Sequence, residues 1–296
     1  MLQYFKCVLL LGVLIAFASC DSLTTTLETD DSDFFSDKLV VGSILTINDS
    51  QFRFHVGENR GFLETGGSDQ FNLSGATILI EKESTGEILD FANGTENQDS
   101  SIENYELSGI DSTFLEPGDY TFTVNHPTYP TSITTLEFPE EVLVENIEFE
   151  LEGGTDIEGF ETSLINFDVI DPLGPNFYEL RVVINGRQVP LETFDPAGSE
   201  GFDFSTLLFR DDSFDGQRKR IQVRFSRFFL NPDVDEEISL SWISVNEGFF
   251  LLSKSVDRQN ATSQNPFATS VQINSNVNDA LGVIGFRNPS EYIINP

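Results

Sequence analysis

Along most of the chain, apolar and polar residues alternate with the period of two that marks a half-buried strand. In residues 76–82, Ile78 and Ile80 share one face. Tyr120, Phe122 and Val124 alternate with Thr121, Thr123 and Asn125, just after the turn signal Glu116-Pro117-Gly118-Asp119. The same pattern recurs at Ile147, Phe149 and Leu151, at Ile165, Phe167 and Val169, at Ile221, Val223 and Phe225, and at Ile238, Leu240 and Trp242. Tyr178, Leu180, Val182 and Ile184 run into Asn185-Gly186, a dipeptide suited to a hairpin turn in which both central residues need positive φ. Short strands separated by turn signals predict an all-β chain built as a sandwich or barrel. One short helix is expected after Asn246, a suitable N-cap, with Phe249, Leu252 and Val256 on its apolar face.

Two apolar stretches do not alternate. Residues 39–45 form a short run of strand length. Residues 8–18, behind Lys6, are too short to span a bilayer, which takes about 20 residues, and have the length of a signal-peptide core. That run ends in Phe17-Ala18-Ser19-Cys20, which resembles a lipobox with Phe17 where leucine is usual. Small residues before a cysteine suit a peptidase groove, and the new terminal thiol can take diacylglycerol. Residues 1–19 are therefore expected to be a lipoprotein signal peptide, and Cys20 the site of lipid attachment, with diacylglycerol and palmitate as its covalent groups. At about 0.8 kcal/mol per buried methylene, two or more chains anchor a protein stably. Residues 20–37 are polar and acidic and read as a flexible tether.

Charge and cysteine content narrow the chemistry. The net charge is −33, and loss of Lys6 makes it one unit more negative, so nucleic acid and anionic surfaces should repel the chain. Cys7 and Cys20 are the two cysteines. The body beyond Cys20 has no disulfide, thiolate metal site or cysteine nucleophile to draw on. The 28 phenylalanines, with many Thr, Val and Ile residues, favour strands.

Candidate catalytic chemistry is sparse, and the chain is expected not to be an enzyme. A serine triad would need His55 or His126, and His126 stands beside Pro127 in what reads as a strand-end turn. Asp211-Asp212-Ser213-Phe214-Asp215-Gly216 matches the opening of a calcium loop, but Gln222 stands where the closing glutamate would be. A turn is the expected reading there. Asp211 and Asp215 remain candidates for a structural calcium, as do Asp233 and Asp235. Arg218, Lys219, Arg220, Arg224 and Arg227 are the basic concentration, expected to balance neighbouring carboxylates.

Two resemblances add to this. Ser74-Gly75-Ala76-Thr77-Ile78, Pro117-Gly118-Asp119-Tyr120 and His126-Pro127-Thr128-Tyr129 make residues 38–140 resemble carboxypeptidase-regulatory-like and transthyretin-like Ig-like sandwiches. Phe138-Pro139-Glu140-Glu141 reads as the linker to a larger antiparallel β-sandwich or barrel-like domain over 141–296. That second region carries three blocks: Asp171-Pro172 with Asn176-Phe177-Tyr178-Glu179-Leu180-Arg181; Asp212-Ser213-Phe214-Asp215-Gly216-Gln217; and Asn265-Pro266-Phe267-Ala268-Thr269, Asn274-Ser275-Asn276-Val277 and Ala280-Leu281-Gly282-Val283-Ile284-Gly285-Phe286. These resemble an uncharacterised family of Bacteroidota outer-membrane lipoproteins commonly encoded beside TonB-dependent receptors. The resemblance implies a lipid-anchored, surface-facing accessory that binds a nutrient for such a receptor, with no catalytic residues to carry over. A structural or adhesive envelope protein is the alternative, and a glycan-active enzyme the third.

Overall fold

The computed structural model describes residues 38–59, 72–91, 95–96, 103–156, 159–200, 205–230, 237–262 and 274–294. Cys20, the signal segment, the tether, Asp233, Asp235 and the 265–269 block lie outside the described residues. The first region holds β1 (Leu39–Thr46), β2 (Gln51–Glu58), β3 (Thr77–Lys82), β4 (Glu87–Asp90), β5 (Thr95–Glu96), β6 (Tyr105–Ser108), β7 (Gly118–His126) and β8 (Tyr129–Phe138). The second holds β9 (Val144–Glu150), β10 (Thr162–Ile170), β11 (Phe177–Ile184), β12 (Arg187–Gln188), β13 (Gly198–Glu200), β14 (Thr206–Arg210), β15 (Arg218–Ser226), β16 (Ile238–Val245), α1 (Glu247–Thr262) and β17 (Ile284–Ile294). The fold is all-β, as the alternation predicts.

One long sheet, in the order β13-β14-β11-β16-β17-β1-β2-β6-β5, runs through both regions, and residues 37–296 form one compact unit. Two smaller sheets cover it. β4-β3-β7-β8 packs on its β1-β2-β6 part, and Val41, Phe54, Ile80, Tyr120 and Phe122 belong to one buried cluster. β15-β10-β9 packs on its β11-β14-β16 part around Trp242, Phe167, Tyr178 and Phe209. The 139–143 segment leads from one core to the other. Alternation explains each inner face, since every second side chain of a strand points the same way. Asn185 and Gly186 take φ of 49° and 77°, and the hairpin into β12 closes as their pairing predicts.

The two regions are tied together by the C-terminal segment. β17 pairs antiparallel with β16 and, over Ile284 to Arg287, parallel with β1. Pro289 sits inside β17, just past the end of that parallel pairing, so its missing N–H breaks no ladder bond to β1. Ahead of the strand, residues 274–283 strap onto the first region. Asn278 accepts from Ser132 Oγ (2.6 Å) through its carbonyl, and its N–H donates to Thr134 Oγ1 (2.8 Å) on β8. The Asn276 amide closes on the Ile284 backbone in both directions, at 2.9 Å each. Val277, Ala280, Ile284 and Phe286 then bury in the first core.

The helix caps as expected, with the Phe249 N–H donating to Asn246 Oδ1 (3.2 Å), but its buried face is rotated. Phe249, Phe250 and Ser253 are buried, whereas Leu252 and Val256 are half-buried. The reason is where it lies: α1 covers the outer face of β11, β14 and β16, against Phe177, Leu208, Ile243 and Val245. The main core is on the opposite face of those strands.

Candidate acidic site at the end of the second sandwich

Two connections pass between the large sheet and the small one at the same end of the second core. Residues 171–176 join β10 to β11, and residues 211–217 join β14 to β15. Because Phe177 pairs with Arg210 and Ile170 with Arg218, the two loops must lie side by side. Asp171 and Asp211 are buried and Asp215 is exposed, and their carboxylate oxygens lie within 4.8 Å of one another.

The carboxylates first serve as staples. Asp171 accepts from the Tyr178 hydroxyl and from the Gly216 N–H (2.9 Å). Asp211 accepts from the Asn176 N–H (2.8 Å), and Asp215 from the Gly174 N–H (2.8 Å). Each loop thus satisfies backbone donors of the other, which an end-cap of two irregular segments requires. Three clustered carboxylates also offer the oxygen ligands that a hard cation such as calcium takes, though calcium uses 6–8 and carbonyls or water would supply the rest. The 211–213 segment is a single 3-10 turn leading into β15. Gln222 lies in that strand and donates to Asn166 Oδ1 (2.9 Å), so no helix-flanked calcium loop forms.

Of the four sequence candidates, Asp211 and Asp215 meet. Their third member, Asp171, was legible only as part of the Asp171-Pro172 block and not as chemistry. Burial raises the Asp171 carboxyl above its ordinary value of 3.8, and the Asp211 and Asp215 charges add to this, against the pull of the Tyr178 and Gly216 hydrogen bonds. A raised value means the folded state holds the proton more tightly than the unfolded chain. The stability this contributes is complete below about pH 3.8 and is lost as pH rises through the folded value. Asp171→Asn cannot titrate. Its unfolding free energy should therefore gain on wild type between about pH 4 and pH 7 in urea titrations, whatever the constant offset. A difference that is flat, or that runs the other way, contradicts this.

The basic concentration is spent on neighbouring carboxylates and a ring, within the small sheet and beside it. Arg218 reaches Glu145 (2.8 Å) and Asp168 (3.2 Å), and Arg220 reaches Glu148 (2.5 Å) and Asp168 (3.2 Å). The Asn146 amide, then the two guanidiniums, hold the Asp168 carboxyl below its usual range. Lys219 pairs with Asp195 (2.9 Å) and Arg227 with Glu161 (2.9 Å), while Arg224 stacks 3.9 Å over the Phe194 ring. His126 spends one ring nitrogen on the Ser74 carbonyl (3.2 Å), in another segment, and the other on the Thr128 N–H (3.2 Å) of its own turn. Among the ionic groups that escaped sequence reasoning is Glu179, which is buried under α1 and pairs with Arg181 (2.7 Å) and Arg287 (3.0 Å).

A family profile described as "Domain of unknown function (DUF4249)" matches residues 24–293. The chain belongs to the DUF4249 family. The match takes in both acidic loops and runs to the end region of β17, so the family unit is the whole described body. No curated protein matches this DUF4249 chain in sequence. Among solved structures, an E. coli alpha-2-macroglobulin is 10% identical, with a TM-score of 0.24, over 73% of this chain and 13% of that one. A Salmonella alpha-2-macroglobulin is 10% identical, with a TM-score of 0.24, over 88% and 15%. The major pilin subunit of Bacillus cereus is 10% identical, with a TM-score of 0.22, over 88% and 70%. The DUF4249 chain thus spans less than a sixth of either macroglobulin, and at these scores the likenesses carry no functional argument.

Proposed function

We propose that this DUF4249 protein is a lipid-anchored, non-catalytic binding protein of the outer membrane, facing the cell surface and assisting a TonB-dependent receptor in nutrient uptake. The observation that carries the reading is Phe17-Ala18-Ser19-Cys20 at the end of an apolar run, just ahead of residue 24, where the family match begins. Lipid on Cys20 would tether the body to a bilayer and raise its effective concentration at a neighbouring barrel. No helix among the described residues is long and apolar enough to cross a membrane. The non-catalytic part draws on His126, whose two ring nitrogens are taken up by the Ser74 carbonyl and the Thr128 N–H. A structural calcium between Asp171, Asp211 and Asp215 remains part of this reading only as a brace for the loops.

Metabolic labelling with a clickable palmitate analogue tests the anchor. The wild-type chain should take up label and sediment with membranes. Cys20→Ser should lose the label essentially completely and leave the membrane fraction. A Cys20→Ser chain that labels and sediments like wild type removes the proposal. Co-purification of a TonB-dependent receptor from mild detergent is the expected partner result.

A further inference from the structure

The 3-10 turn that presents Asp211 to the acidic site turns its other side, Asp212 and Ser213, toward a separate cleft of about 430 Å³. This volume falls in the range of small-molecule sites, about 300–1,000 Å³. One wall is α1 and the opposite wall is the approach to β13. Among the described residues the lining includes Arg210, Lys254 and Arg258, with Asp212 the one acid, in a chain carrying 49 acidic and 16 basic residues. Ser199, Ser213 and Asn274 add hydroxyl and amide groups.

The cations are set on a built surface. Phe177 and Phe250 pack ring to ring at 5.0 Å, and each carries a cation: Arg210 lies 5.5 Å over Phe177, and Lys254 lies 5.4 Å from Phe250. Lys254 and Arg258 are one turn apart on the same helical face, a like-charge spacing that costs helix stability rather than adding to it. Neither residue lies in the last turn of α1, so the helix dipole accounts for neither charge. Arg210 meets Asp212 through Nε (2.9 Å), an exposed pair, and a guanidinium has two further amino groups with which to meet a planar anion.

We propose that this cleft binds a small hydroxylated organic anion, its carboxylate or phosphate held by Arg210, Lys254 and Arg258 and its hydroxyls by the serines and Asn274. The proposal deepens the binding role given above and rests on it for its purpose, but not on the anchor. Isothermal titration of the full-length chain in mild detergent should show binding of gluconate or of glucose 6-phosphate, and none of glucose. The preferred anion tells carboxylate from phosphate. Combining Lys254→Gln with Arg258→Gln should weaken binding at least tenfold, and Arg53→Gln, on distant β2, should leave it unchanged. Absence of binding by both anions overturns the proposal. So does equal binding of glucose, or a double variant that folds and binds like wild type. A wild-type chain that takes up no palmitate label would overturn the anchor alone, and a wild-type chain that binds neither anion would overturn the cleft alone.

Discussion

Gly282→Ala should be among the most damaging single substitutions in this chain. Gly282 has φ of +117°, and a Cβ there would stand 2.0 Å from the Val41 carbonyl oxygen and 2.8 Å from its carbon. Those are backbone atoms of a central strand, flanked by bonds between Val41 N–H and the Leu281 carbonyl (2.7 Å) and between Leu281 N–H and the Leu39 carbonyl (2.7 Å). Neither side can yield without parting β1 from the strap. Backbone strain of about 1–3 kcal/mol and the displaced ladder together should cost roughly 3–5 kcal/mol in denaturant unfolding. Gly42→Ala is the control. Its Cβ would meet only His55 Cβ, at 3.8 Å, so stability should stay within about 1 kcal/mol of wild type. Equal effects at the two positions contradict the close approach described for the strap.

Phe286→Ala should cost about 3–5 kcal/mol, the range for truncating a buried ring. Phe286 is fully buried against Phe138 (4.9 Å), Phe122 (5.8 Å) and Tyr120 (6.2 Å), all in the first core. The same strand pairs with β16, which carries Trp242, the one tryptophan, in the second core. Trp242 emission therefore reports on the region away from the substitution. Because one sheet joins the cores, the emission transition and the circular-dichroism transition should shift together to lower denaturant. An emission midpoint that stays at the wild-type value while the strand signal shifts would show that β17 does not couple the two regions.

These two residues also mark where sequence reading stopped. Strands whose outer face is polar were legible, because burial of one face writes alternation into the sequence: Ile165, Phe167 and Val169 are all fully buried. The long strand β17 was not legible as one element, because Pro289 interrupts its pattern. Its parallel pairing with β1, from the far end of the chain, leaves no local trace. The helix was found from its N-cap and periodicity. Its buried face was misread because Phe250 and Ser253 pack onto the back of the sheet rather than into a core of their own. Asp211 and Asp215 stood out by spacing, yet the site needed Asp171 from another loop, brought in by strand register. The basic cleft likewise draws on separate elements, since Arg210 comes from β14 and Lys254 from α1.

What connects these parts is a framework of shared strands and interlocked loops. Two cores share a sheet, two acidic loops lock one end, and the 3-10 turn of one of them contributes to the lining of a basic cleft in a strongly acidic chain. Its place of action rests on Cys20. Mass spectrometry of the amino-terminal peptide, from protein extracted out of native membranes, addresses that point directly. The account predicts a chain that starts at Cys20 with diacylglycerol in thioether linkage on its sulfur. A chain cut elsewhere, or one whose Cys20 keeps a free thiol, would contradict it.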